Sequence, residues 1–234
     1  MPVGRFFVDS SLEGSQSVVV DGKEFVHLAK VMRTKEGERV ELVNGKGYMA
    51  RACVMKIKKS CAILDIEDVA MYDKPLRSII LVQAMPRFGR LDYILEKGTE
   101  LGMTEIWLFP ADHSEKTKFS DNQLRRMELI TIASMKQCGR LYIPKIVVKP
   151  PLCKWDSLVM TAFFGDVEKG APRLIDSWTP TKEVMFFVGP EAGFSENEVL
   201  LLREKGVKGV WLHDNILRTD TAPLVALSII CQMS

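Results

Sequence analysis

The chain has 234 residues and few of the features that mark a secreted, metal-bound or membrane-embedded protein. Its five cysteines (Cys53, Cys61, Cys138, Cys153 and Cys231) are odd in number and form no C-x-x-C pair. That speaks against a disulfide frame or a zinc site and for thiols kept reduced in a cytoplasm. The three histidines, His27, His113 and His213, are scattered, so no metal is expected. No apolar run approaches the ~20 residues that cross a bilayer. The opening MPVGRFFVDSS lacks the charged-then-apolar order of a signal peptide. A net charge of +2 does not by itself announce a nucleic-acid partner.

What is present fits a soluble globular protein of one large domain or two small ones, with 47% hydrophobic and 26% charged residues. The first seventy or so residues read as β-rich, with RFFV, SVVV and CAILDIEDVA as strands and one short helix around KEFVHLAKVM. RVELVNGKGYMARACVMKIKK reads as two strands joined by a tight hairpin at Asn44-Gly45. Its second strand presents Cys53, Met55 and Ile57 as the apolar side, opposite Val54, Lys56 and Lys58. This content fits a small barrel. Pro75, in YDKPLR, marks a hinge, so the expected domains are 1–72 and 73–234.

Beyond the hinge the rhythm changes. SIILVQAM, EIWLFP, KIVVK, MTAFF, EVMFFVG and KGVWLH are strand candidates, and helical patterns lie between several of them. Ser120 and Gln123 form a capping box for a helix through about Gln137, and a last helix runs from about Thr221 to Met233. Continuous apolar strands alternating with helices predict an α/β domain, a parallel sheet covered on both faces. Ligands in such sheets sit beyond the carboxyl ends of the strands.

Two loops at such ends stand out. In VGPEAGFSENE an apolar strand stops at Gly189. Ser195 and Glu198 make an S-x-x-E capping box, so both have a structural task, whereas Glu191 lies outside it, between Gly189 and Gly193. The loop has neither the G-x-G-x-x-G spacing of a dinucleotide site nor the phosphate-loop pattern, which disfavours a nucleotide-dependent oxidoreductase. Taken alone it reads as an ordinary strand-to-helix turn. In WLHDNILRTDTAP, Ile216 and Leu217 are apolar residues in a loop. They are either a staple onto the sheet or the wall of an apolar ligand such as a purine ring.

EKGTELG (Glu96 to Gly102), KQCGR (Lys136 to Arg140), GPEAGFSENE (Gly189 to Glu198) and LHDNILRTDTA (Leu212 to Ala222), with HLAKVMR (His27 to Arg33) before them, resemble in order and spacing the motifs of the RsmE family. The members of that family are S-adenosylmethionine-dependent methyltransferases of the SPOUT superfamily, acting on N3 of a uridine in small-subunit (16S) ribosomal RNA. The family pattern has a second glycine at Ala192, glycine and a basic or variable residue near Asp214 and Asn215, glutamate at Asp220, and glutamate-glutamine at Lys136-Gln137. The resemblance implies a PUA-like N-terminal barrel, a C-terminal trefoil knot, a homodimer and no metal. It implies that Gly189, Pro190, Glu191 and Gly193 shape one wall of the cofactor site, and that Leu212, Ile216, Leu217, Thr221 and Ala222 shape the other. On this view the strand ends in glycines because a cofactor lies against its backbone.

Uracil N3 attacks once its proton leaves, and the resulting charge spreads onto two carbonyl oxygens. A cation aimed at those oxygens is therefore expected, with Arg218 as first candidate and Arg140 as second. Asp220 is either a base or a helix N-cap. RNA contacts are expected from Arg33, Lys56, Lys58, Lys136 and Arg140. Most of these lie in two stretches, Lys46 to Lys59 and Lys136 to Lys154, that carry basic residues and no acid. Lys97 and Glu100 read as a solvent-facing pair. The alternatives are a knotted methyltransferase acting on transfer RNA and a non-catalytic RNA-binding assembly factor.

Overall fold

The computed structural model describes residues 4–158, 160–168 and 170–232. They form two compact units. One runs up to Lys74 and includes Ile132–Ile143, and the other comprises Pro75–Thr131 and the chain from Pro144 onward. Residues 132–143, which the sequence assigns to the second domain, thus cluster with the first.

The first unit contains β1 (Arg5–Phe7), β2 (Ser17–Asp21), α1 (Gly22–Val26), a π-helical turn (His27–Val31), β3 (Arg39–Val43), β4 (Tyr48–Ile57) and β5 (Cys61–Met71). The strands form one sheet in the order β1-β3-β4-β5-β2. The sheet curls into a half-barrel whose edge strands, β1 and β2, do not pair with each other. Alternation sets its inner face. Val18 and Val20 of β2 are buried while Val19 between them is exposed, and Phe6, Leu12, Leu28, Leu42 and Leu64 complete the core.

Two expectations are corrected here. The buried side of β4 is Ala50, Ala52 and Val54, and Met55 is 52% exposed. Ala50, Ala52 and Val54 alternate regularly, and Met55 is an extra residue between the pairs Val54–Leu64 and Lys56–Ile63, so Ile57, opposite buried Ala62, shares the inner side with Val54 and not with Cys53 and Met55. Asn44-Gly45 is also not a two-residue hairpin turn. Asn44 Oδ1 accepts from the Lys46 and Tyr48 N–H groups (2.9 and 3.4 Å), closing a longer loop from Asn44 to Gly47. Its glycines admit the returning chain. Gly47 N–H donates to Leu141 O (2.9 Å) and Ile143 N–H to Gly45 O (3.0 Å). A Cβ at Gly47, where φ is +94°, would lie 2.8 Å from the Tyr72 carbonyl oxygen.

The second unit contains β6 (Ser78–Ala84), α2 (Phe88–Glu100), β7 (Glu105–Phe109), α3 (Asp121–Cys138), β8 (Lys145–Val148), β9 (Thr161–Gly165), α4 (Leu174–Ser177), β10 (Glu183–Val188), α5 (Glu196–Glu204), β11 (Lys208–Val210) and α6 (Ala222–Gln232). The end of α3, from Ile132, is counted with the first unit. Met233, expected at the end of the last helix, lies outside the described residues. The six strands are parallel, in the order β11-β9-β10-β6-β7-β8. Val184, Phe186 and Val188 point to the face covered by α2 and α6, while Met185 and Phe187 point to the face covered by α5. Both faces are therefore apolar, and β10 reads as the continuous run EVMFFV. Ser120 Oγ accepts from Gln123 N–H (3.4 Å) and Gln123 Oε1 from Ser120 N–H (2.9 Å), the expected box at the start of α3.

The inverted face of β4 is testable by urea unfolding. Val54→Ala is expected to cost about 2 kcal/mol, and Met55→Ala less than about 0.5 kcal/mol. The reverse ranking would return Met55 to the buried side.

Candidate functional site

The loop after β10 is built from its own backbone. Ser195 Oγ accepts from Glu198 N–H (3.2 Å), and Glu198 Oε2 accepts from Ser195 N–H (2.9 Å). Glu198, only 4% exposed, also accepts from the Asp112 N–H through Oε1 (3.1 Å). Its work is structural, as the capping box predicts. Phe194 turns inward and stacks 6.5 Å from Phe109, anchoring the loop to the sheet. A Cβ on Gly189 would stand 3.0 Å from Phe194 N and 3.2 Å from Gly193 C, and Gly193 has φ +78°. The loop's own tight return therefore requires both glycines, a nearer cause than a cofactor against the strand end.

Between β11 and α6, the second loop comes back to the first. Thr219, 6% exposed, donates through Oγ1 to Gly189 O (2.7 Å). Gln83, fully buried at the end of β6, donates through Nε2 to Thr219 Oγ1 (3.1 Å) and to Ala84 O (3.0 Å). Arg90 of α2 supplies the second tie. Its Nη1 lies 2.9 Å from both carboxylate oxygens of Asp220, and its Nε lies 3.3 Å from Glu191 Oε1. Glu191 also accepts from the Arg87 N–H (3.0 Å). The Arg87 guanidinium binds Glu115 and holds that carboxyl below the usual carboxylate range. Glu191, without a partner in its own loop, finds both of its partners around the start of α2.

A cavity of about 1010 Å³ lies between the two loops, at the carboxyl ends of β9 and β10. It is lined by Gly189, Pro190, Glu191, Gly193, Leu212, Ile216, Leu217 and Ala222. Thr221, the ninth residue expected there, is exposed and does not line it. Ile216 is 86% exposed at the rim, so it is not a staple onto the sheet. Sequence reasoning missed Thr219, Val188 and a third wall, Phe164 and Gly165 at the end of β9. A signal existed: TAFFG ends on a glycine after two phenylalanines, much as VMFFVG does.

The lining is apolar with an acidic rim. Among the described residues that line it, the acids Asp166, Glu168, Asp176, Glu191 and Asp214 stand against one guanidinium, that of Arg173. The volume and apolar walls suit a ring system of purine size. The carboxylates favour a ligand bearing positive charge and oppose one bearing phosphates.

Arg218 is exposed, and its guanidinium has no hydrogen-bond or ion-pair partner among the described residues; it follows the lining residue Leu217. Asp220 is held by Arg90, so its carboxylate is neither a free base nor the cap of α6. Arg140 belongs to the other compact unit, where it is half-buried and engaged. Lys136 corrects an expectation. Its ammonium binds Glu24 Oε1 (2.5 Å) and is 13% exposed, while Glu24 Oε2 accepts from the Phe7 N–H (2.9 Å). It is a structural ion pair of the first unit rather than an open phosphate contact. Lys56 and Lys58 are exposed, as is Arg33, the one described non-glycine residue with positive φ (55°). Lys97 pairs with Glu100 and with Glu96, each at 2.8 Å.

Residues 73–231, more than half of the chain, match the family model of the RNA methyltransferase domain, and residues 20–67 match that of the RNA methyltransferase PUA domain. The chain is similar to the ribosomal RNA small subunit methyltransferase E of Mycobacterium bovis, at 28% identity over 96% of this chain and 90% of that protein. It is similar to the protein of the same name from Bacillus subtilis, at 26% identity over 97% and 95%. Among solved structures it resembles ribosomal RNA small subunit methyltransferase E from Neisseria gonorrhoeae bound to S-adenosyl methionine. There the TM-score is 0.85 and the identity 30%, over 97% of this chain and 96% of that one.

Thr219→Val keeps the shape of the side chain and deletes the hydroxyl that joins the loops. We expect a loss of about 1–3 kcal/mol in urea unfolding, largely restored by Thr219→Ser. A loss no larger than a surface substitution gives would show that the bond carries nothing.

Proposed function

Because the chain belongs to the family of RNA methyltransferases that includes ribosomal RNA small subunit methyltransferase E, we propose that it methylates N3 of a uridine in the 16S RNA of the small ribosomal subunit, with S-adenosylmethionine as donor. The observation that carries this reading is the apolar, acid-rimmed cavity between two interlocked loops, in a chain 30% identical to a protein with that donor bound. The fit is chemical: apolar walls for the adenine, and carboxylates for a molecule carrying a sulfonium and an ammonium. Leu212, Leu217 and Ala222 would hold the base side, with Pro190 and Glu191 opposite them. Following the resemblance, the C-terminal segment threads a trefoil knot and the enzyme works as a homodimer in the cytoplasm.

The bound donor supplies an electrophilic methyl group. The protein's task is to hold the uracil in line with it and to stabilise the charge that develops on the base. Arg218, exposed and unpaired beside the cavity wall, is the group suited to face the uracil oxygens. The N3 proton passes to water, since Asp220 is committed to Arg90. Exposed Arg33, Lys56 and Lys58 of the first unit contact phosphates and offset part of the few kcal/mol that unstacking a base costs.

Radiolabelled methyl transfer to unmodified small subunits, naked ribosomal RNA and transfer RNA, followed by nucleoside analysis, tests the assignment. N3-methyluridine in small-subunit RNA is the expected product. Label in transfer RNA alone, or donor binding without incorporation, would replace it. Arg218→Ala is expected to lower kcat about a hundredfold while RNA affinity changes far less; equal losses in both would remove its catalytic role. The double substitution Lys56→Ala, Lys58→Ala is expected to flatten the salt dependence of RNA binding by about 0.7–0.9 in log–log slope for each phosphate no longer neutralised. An unchanged slope would place the RNA face elsewhere.

A further inference from the structure

Methyl transfer changes the charge of the nucleoside in the cavity. The carbon–sulfur bond breaks as the carbon–nitrogen bond forms, the bonding pair stays on sulfur, and N3 gives its proton to water. The donor enters with a net positive charge, counting its carboxylate, ammonium and sulfonium. The by-product, S-adenosylhomocysteine, leaves with none. The two molecules otherwise differ by one methyl group, so shape separates them poorly and charge separates them well.

The rim is built to sense that difference. Asp166 and Glu168 are paired with Arg203, at 3.0 and 2.7 Å. Arg90 is shared between Glu191 and Asp220, so one guanidinium faces two carboxylates. Asp176 and Asp214 line the cavity with no side-chain partner among the described residues. The one guanidinium of the lining, Arg173, lies over the Trp211 ring, 5.3 Å from its centroid. Among the described lining residues the balance stays negative after these pairs are counted. Glu191, on the glycine loop, accepts from the Arg87 N–H at 3.0 Å and lies 3.3 Å from the Arg90 Nε, a longer contact than the 2.9 Å that Asp220 makes to the same guanidinium.

We infer that this acidic rim, with Glu191 and Asp214 as its chief members, makes the cavity a charge discriminator that retains the sulfonium donor and releases the neutral thioether by-product. The inference rests on the proposed cofactor. It adds that spent cofactor inhibits weakly and that the preference is electrostatic. A unit charge near solvent-facing carboxylates that arginines compensate only in part gives about a tenfold preference, and salt weakens it.

The test is calorimetric titration of the full chain with S-adenosylmethionine, with sinefungin, which carries an amine in place of the sulfonium, and with S-adenosylhomocysteine. Both cationic ligands are expected to bind about tenfold tighter than the neutral one. The gap should narrow to about threefold at 1 M salt, and likewise in Glu191→Gln. Asp214→Asn removes an exposed, unpaired carboxylate and is expected to narrow the gap without altering the melting temperature, which separates a charge effect from a loosened loop. Equal affinities for the three ligands, or tighter binding of S-adenosylhomocysteine, would overturn the inference and leave the cofactor assignment standing. Failure of all three to bind would overturn both.

Discussion

The guanidinium of Arg90 lies between the carboxylates of Glu191 and Asp220, one from each of two loops far apart in sequence. With the Thr219 hydroxyl on Gly189 O, it turns two separate strand-to-helix connections into one wall system. The groups are partly exposed, so the pair contributes modestly to global stability. Its effect is geometric. Phe194 anchors the first loop to the sheet, and these ties fix the spacing between the two loops that keeps the cavity open. Gln83 beneath them, fully buried and directed at Thr219, extends that fixation into the core of the sheet.

Much of this was legible in residue order. The alternating apolar strands and helices from Ser78 onward, the capping boxes at Ser120 and Ser195, and the two motif loops come from local periodicity and local hydrogen bonding, which a sequence displays directly. Tertiary approach was not legible. Asn44-Gly45 read as a tight hairpin because nothing local reveals that Leu141 to Ile143 will lie against Gly45 and Gly47. Cys53 and Met55 read as one side with Ile57 because the extra residue at Met55 carries no residue-level signature. Lys136 read as a surface cation because its partner, Glu24, lies 112 residues earlier in the chain. The clamp is of the same kind: Glu191 and Asp220 were visible as loop acids, and Arg90 on α2 was not visible as their common partner.

On the proposed reading the two compact units have different electrostatic tasks. The cavity in the second presents carboxylates, which favour a cationic donor and disfavour phosphate. Arg33, Lys56 and Lys58 stand exposed on the first, where phosphates would be welcome. A net charge of +2 hides this partition, because acidic and basic surfaces cancel in the sum.

A crystal structure of the chain grown with S-adenosylmethionine tests the central claim most directly. The account predicts the donor folded between residues 189–194 and 212–222, with the Arg90 clamp to Glu191 and Asp220 intact. Density for the donor at any other place, or the two loops parted with Arg90 released from both carboxylates, would contradict it.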